Sequence, residues 1–285
     1  MKRSANFCRL AFTTMVIVAL ILVTPSWLFA HAEIHVRIAD LTKKIEVEPE
    51  NPDLYVKRGE LHRVHRDWDA ALADYRRAGE LEPRSASVHF VRGRMLFEAE
   101  RLDGALSDLN HFLRIEPRYR EALVTRARVL VQLGRPLDAA DDYTNAIATL
   151  TRPTPEYYLE RSKALAEAGV EYLESALAGL DEAIDRIGPL VTLQLYAIEL
   201  ELRMEQYGGA LKRLDSIARW MPAERQLFGR GEILRRAGRI PEAREAYAEA
   251  LEHVNAMPPP RGNNRATKDL EAQLRTALEE LSEHY

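Results

Sequence analysis

Three arginines and three aspartates recur in one register. Arg58, Arg92 and Arg126 are evenly spaced along the chain, and Asp74, Asp108 and Asp142 follow them at a second constant interval. A guanidinium and a carboxylate repeated in register can close an ion pair between packed segments. The rival reading is a row of cations offered to an anionic ligand. The constant acidic partner favours structural ion pairs, because an arginine drawn out of water needs a carboxylate beside it. Arg161 and Arg230 keep the basic place, but Gly179 and Ala246 stand where the acid would be, so these two are expected to be freer.

Other reactive side chains do not form a pattern. His31 and His35 lie near the N-terminus, and His62 and His65 share one helix end, without the further ligands that a zinc site needs. A chain starting at His31 could hold copper through its amine and ring, but no metal is expected. Cys8 is the only cysteine, so disulfides and thiolate metal sites are excluded from the rest of the chain. The sequence has no phosphate-cradling glycine loop, no H-E-x-x-H and no G-x-S-x-G. It offers no catalytic residue, calls for no cofactor, and reads as a non-enzyme.

The elements that carry the arginines and aspartates are short amphipathic helices in pairs. From Pro52 to Arg84 the landmarks are Gly59, Ala71, Tyr75, Ala78 and Pro83. They return one period on as Gly93, Ala105, Leu109, Phe112 and Pro117, and again as Ala127, Ala139, Tyr143 and Ala146. The small residue of each first helix stands at a constant interval before that of the second, which lets the helices approach closely. A fixed period of about 34 residues is the signature of a helical solenoid. The fourth copy, about 155–190, pairs Ser162 with Ala176, so its turn is lengthened by two around Ala168 to Tyr172. The fifth, about 191–223, is degenerate, with Ile198 in the small place and Gly208-Gly209 opening its second helix. The sixth, about 224–257, is regular.

With Tyr55, Gly59, Ala71, Tyr75, Ala78 and Pro83 in place, the pattern resembles the tetratricopeptide repeat (TPR), although His62 takes the place of a usual aromatic. The resemblance implies an all-α right-handed superhelical solenoid of about six helix pairs, with capping helices at both ends. It also implies partner binding in a concave groove lined by the first helices. In the family register the ninth groove places are Glu60, Arg94, Arg128, Lys163, Glu199 and Glu232, a basic middle between acidic ends. Phe90, Phe97, Val124 and Val131 fall nearby. The expected partner-binding groove is therefore Arg94, Arg128, Lys163, Phe90, Phe97, Val124 and Val131, taking a protein or peptide segment with acidic groups. An ordinary solvated helix face is the competing reading. No Asn stands at these places, so the carboxylate clamp of some family members is not implied.

Four regions follow. Residues 1–32 join Lys2, Arg3 and Arg9 to an uncharged run from Leu10 to Val23 and an Ala30-His31-Ala32 cleavage pattern. This is a signal peptide, or a membrane anchor through residues 10–30 if uncleaved. Residues 33–49 form an N-terminal half-repeat cap, with Ile34, Ile38, Leu41 and Ile45 on one face. Residues 50–257 hold the six helix pairs. Residues 258–285 form a Pro-rich turn and a capping helix, with Leu270, Leu274, Leu278 and Leu281 inward. The net charge is −4, and −7 once the three cations of residues 1–32 are set aside, which argues against nucleic acid as a partner. The expected protein is an exported scaffold, periplasmic, secreted or membrane-held. The alternatives are an accessory or assembly subunit of an envelope enzyme or transporter, or a self-assembling structural component.

Overall fold

The structure is a computed structural model that describes residues 26–262 and 264–283, with side chains described from residue 33. Among the described residues it is all-α. The helices are α1 (Ser26–Val47), α2 (Pro52–Val64), α3 (Trp68–Leu81), α4 (Ala86–Glu98), α5 (Leu102–Ile115), α6 (Arg120–Gln132), α7 (Pro136–Ala148), α8 (Pro155–Ala168), α9 (Leu173–Ile187), α10 (Val191–Arg203), α11 (Tyr207–Ile217), α12 (Ala223–Arg236), α13 (Ile240–Asn255) and α14 (Arg265–Glu283). Pairs α2/α3 through α12/α13 are the six repeats. The run Leu10 to Val23 lies outside the described residues. Within them, no helix is long and apolar enough to cross a membrane.

Several helices begin where a cap side chain or a first-turn proline keeps backbone groups from being orphaned. Asn51 accepts from the Asp53 amide, and Pro52, Pro136 and Pro155 occupy first-turn places where no amide donor is needed. Asp67 caps α3 through the Ala70 amide. The same turn in the next two repeats has Arg101 and Arg135 at the cap, without a side-chain cap bond. Their guanidiniums reach Asp69 and Asp138 instead. Five of the six first-to-second-helix turns pass through the left-handed region at one register place: Arg66, Glu100, Gly134, Glu205 and Gly238. Glycine there avoids the Cβ clash of about 1–2 kcal/mol that the other three residues accept.

The chain divides into two compact units, residues 1–117 and 118–285. In the first, α2 packs on α3 and α4 on α5, while α1 lies on α2 and α3 on α4. Ile45, Leu54, Tyr55, Ala78 and Val88 form a core there, flanked by Leu41, Val56 and Leu81. In the second unit the pairs run from α6/α7 to α12/α13, and α14 covers α13. One core centres on Tyr158, Leu180, Leu193 and Leu200, and another on Leu214, Ile233, Tyr247, Leu270 and Leu274. The close approach of paired helices is real steric contact: a Cβ on Gly231 would collide with the ring of Tyr247.

Two details go beyond the sequence expectation. The N-terminal helix runs unbroken from Ser26 to Val47, through the small-residue cleavage pattern, so residue 32 is not an element boundary. The lengthened fourth turn is a 3-10 helix, Val170–Tyr172, and the Ser162 hydroxyl donates to the Ala176 carbonyl at 2.8 Å across that pair.

Candidate functional site

The three repeated arginines meet the three repeated aspartates in two-pronged contacts. Arg58 donates from Nε and Nη2 to Asp74 at 2.9 and 2.7 Å, tying α2 to α3. Arg92 and Asp108 do the same between α4 and α5, both at 2.6 Å. Arg126 and Asp142 tie α6 to α7 at 2.7 and 2.6 Å. The carboxylates are 4, 6 and 3% exposed, so they could not be rehydrated without opening the helix pair. The hydrogen bonds to Asp74 and Asp108 push the Arg58 and Arg92 guanidiniums up despite burial, fixing them as cations. These six side chains hold helix pairs together and leave no carboxylate free for proton transfer.

The pattern breaks are also filled. Arg161 donates to Glu182 at 3.2 Å, and its guanidinium lies over Gly179, where a Cβ would come within 2.7 Å. Arg230 reaches Asp215 of α11 at 2.9 Å. The expectation that these two arginines are freer is therefore corrected. In the fifth pair the register changes: neutral Ala197 takes the arginine place and Arg213 the aspartate place. Arg213 lies 2.7 Å from Asp181 on α9, 2.9 Å from Glu201 on α10, and bonds Gln194 at 3.3 Å. Glu201 is only 5% exposed. The sequence reading missed this cluster, although a base standing in the register place of the aspartates was its visible signal.

The expected groove residues fall into the two units. In the first, Arg94 donates to both oxygens of Glu60 at 2.8–2.9 Å and lies over the Phe90 ring. Glu60 also accepts the Tyr75 hydroxyl at 2.5 Å and Arg63 at 3.2 Å. Burial would push Glu60 up; the hydrogen bond from Tyr75 and the Arg94 and Arg63 charges outweigh it and hold the carboxyl below its ordinary value. Phe90 packs 5.2 Å from Phe112, and Phe97 is half-buried. In the second unit, Arg128 donates to Glu160 at 3.0 Å. Val131 is half-buried, and Lys163 is exposed with its ammonium 5.7 Å from the Tyr196 centroid. Two corrections follow. Arg94 and Arg128 already hold carboxylates, so they are not open cations. Val124 is 4% exposed and offers no contact surface. At the far end Glu232 repeats the arrangement of Glu60, accepting Tyr247 at 2.5 Å and Arg235 at 3.1 Å.

The histidines join helices. His35 of α1 meets His65, just past α2, edge-on at 4.7 Å, and His89 of α4 stacks on His111 of α5 at 3.8 Å. Among the described residues no group of three His, Cys, Asp or Glu side chains is placed to hold a metal ion.

Comparison with known proteins agrees with this architecture. The family model described as tetratricopeptide repeat matches residues 56–120 and 197–258. A tetratricopeptide repeat protein from Parabacteroides merdae is similar in structure at 17% identity and TM-score 0.53, over 87% of this chain and 94% of that one. The C-terminal part of a repeat-containing protein from Cytophaga hutchinsonii reaches TM-score 0.64 at 13% identity, over 86% and 97%. YrrB, described as a TPR protein with an unusual peptide-binding site, matches at 22% identity and TM-score 0.55, over 65% and 94%. No curated protein matched the sequence. The two matched stretches carry tetratricopeptide repeats, and the fold class of the chain is the all-α solenoid of that repeat; proteins of this fold generally mediate protein–protein interaction.

Proposed function

We propose that this chain is a non-catalytic scaffold that binds a partner protein or peptide outside the cytoplasm. The observation that carries the reading is the fate of its buried and half-buried acids. Asp74, Asp108, Asp142, Glu60 and Glu201 are each engaged by arginine, holding helices against one another rather than waiting for a substrate. What the repeats leave to a partner is first-helix surface, such as Lys163 beside Tyr196 and half-buried Val131 in the second unit. Such a surface suits a segment with apolar anchors and acidic flanks. The peptide-binding site of the similarly folded YrrB supports a peptide as partner. Export rests on the three cations and the apolar run at the N-terminus.

Affinity capture from envelope extract tests this, using the full chain beside a Val131→Asp, Lys163→Glu variant. A protein retained by the parent and lost by the folded variant is the expected result. Equal retention by both moves the site to another face. No retained protein overturns the scaffold reading.

A further inference from the structure

The first unit has a hollow where its N-terminal cap meets the first repeat. Helix α1 lies outside the six pairs and packs on α2. Between them lies a hollow of about 410 Å³, lined by Arg37, Asp40, Leu41 and Lys44 of α1 and by Val56, Lys57, Glu60 and Leu61 of α2. That volume lies within the usual range for pockets that take a ligand or anchor residues. Leu41, Val56 and Leu61 supply an apolar floor.

The charges around the floor are unequal in their freedom. Asp40 and Lys44 pair with each other at 2.9 Å. Glu60 is taken by Tyr75, Arg94 and Arg63. Arg37 and Lys57, one on each wall, are exposed and make no ion pair among the described residues. The hollow therefore presents an apolar strip between two cations, with every acid of its lining already neutralised. In a solenoid each repeat buries its face against the next; among the described residues the space between α1 and α2 is left as this hollow.

We propose that this hollow between α1 and α2 docks an acidic amphipathic helix of a partner protein. Leucine-like residues at i, i+3 and i+4 of that helix enter between Leu41, Val56 and Leu61, and flanking carboxylates face Arg37 and Lys57. The proposal deepens the scaffold reading and rests on it. It moves the cationic determinant from Arg94 and Arg128, which are internally paired, to two residues that are not. Anionic lipid could also meet these cations, but a membrane surface would not insert side chains into a hollow walled by two helices.

A displayed library of amphipathic helices about five turns long tests the proposal, with a fixed leucine stripe and Glu, Gln or Lys varied at the flanking positions. Selection on the purified full chain should enrich Glu over Lys at the flanks by at least tenfold. Selection on the Arg37→Glu, Lys57→Glu variant should reverse the preference. These two residues are exposed, and circular dichroism verifies that the variant keeps its helix content. Enrichment without charge preference, a preference that survives the reversal, or no enrichment overturns the proposal. Vesicles of phosphatidylglycerol and phosphatidylcholine are run beside the library: charge-dependent vesicle binding without helix enrichment would assign the cations to a membrane and reject the docking site. If the variant still retains the partner captured from envelope extract, this site fails while the scaffold reading stands.

Discussion

The Arg92–Asp108 pair gives the sharpest test of how the helix pairs are held. Removing Arg92 leaves Asp108 with the His89 ring alone, 3.0 Å from Oδ1, whereas removing Asp108 strands the guanidinium. The Asp108 side chain is 8% exposed and that of Arg92 22%. Two unit charges about 4 Å apart attract by roughly 4 kcal/mol at an effective dielectric of 20. Arg92→Ala leaves the buried carboxylate to His89 alone; breaking a buried pair costs about 3–5 kcal/mol, and the remaining imidazole contact puts this case at the lower end. Asp108→Ala leaves a guanidinium that can turn partly into solvent, so its cost is nearer ~2 kcal/mol. The double substitution Arg92→Ala, Asp108→Ala strands neither charge and should cost well below the sum, with a coupling energy of about 2 kcal/mol. Urea unfolding of the four proteins by far-ultraviolet circular dichroism measures the cycle, and amide exchange in α4 and α5 locates the loss. A coupling energy under about 0.5 kcal/mol, the size seen for exposed pairs, would refute the argument. So would Asp108→Ala costing more than Arg92→Ala.

Stability should have an acid limb and an alkaline limb from the same Glu–Tyr bonds. Glu60 and Glu232 are held below their ordinary 4.5, burial being outweighed by their tyrosine and arginine partners. Their contribution is present above pH 4.5 and disappears as pH falls through the lowered folded value, so Glu60→Gln should flatten the acid limb in a melting-temperature profile. Tyr75 and Tyr247 are pushed far above their ordinary 10.0, first by burial and then by those glutamates. Their contribution is full below that ordinary value and is lost as pH rises beyond it; Tyr75→Phe should flatten the alkaline limb, and an unchanged profile would reject the coupling. In the fifth pair, Arg213→Ala strands the buried Glu201 carboxylate and should cost about 3 kcal/mol, with Arg213→Lys restoring little because one ammonium cannot span Asp181, Gln194 and Glu201. Chemical denaturation reads this, and a loss below about 0.5 kcal/mol, the size of an ordinary surface substitution, would remove the cluster from the account of the fold.

Much of the architecture was legible in the chain itself. Gly59, Gly93 and Ala127 with Ala71, Ala105 and Ala139 give both the pairing and its period, because close helix approach demands small residues at fixed places. Arg58, Arg92 and Arg126 announce their aspartates for a similar reason: both ends of each contact repeat in one register. The fifth pair was less legible, since Arg213 takes its acids from α9 and α10 rather than from the place the register assigns.

The sequence by itself determined the helix pairs, their order and the residues that join the first three pairs, because contacts within a repeat lie at fixed short separations. Only the tertiary structure decided which charges remain available. Arg94 and Arg128 look free as a row in sequence, yet Glu60, one repeat before the first, and Glu160, nearly one repeat after the second, close on them in space. Arg37 and Lys57 look like ordinary surface residues until α1 folds onto α2 and sets them on opposite walls of an apolar hollow. A free charge is defined by what does not approach it, and that is a property of neighbouring helices.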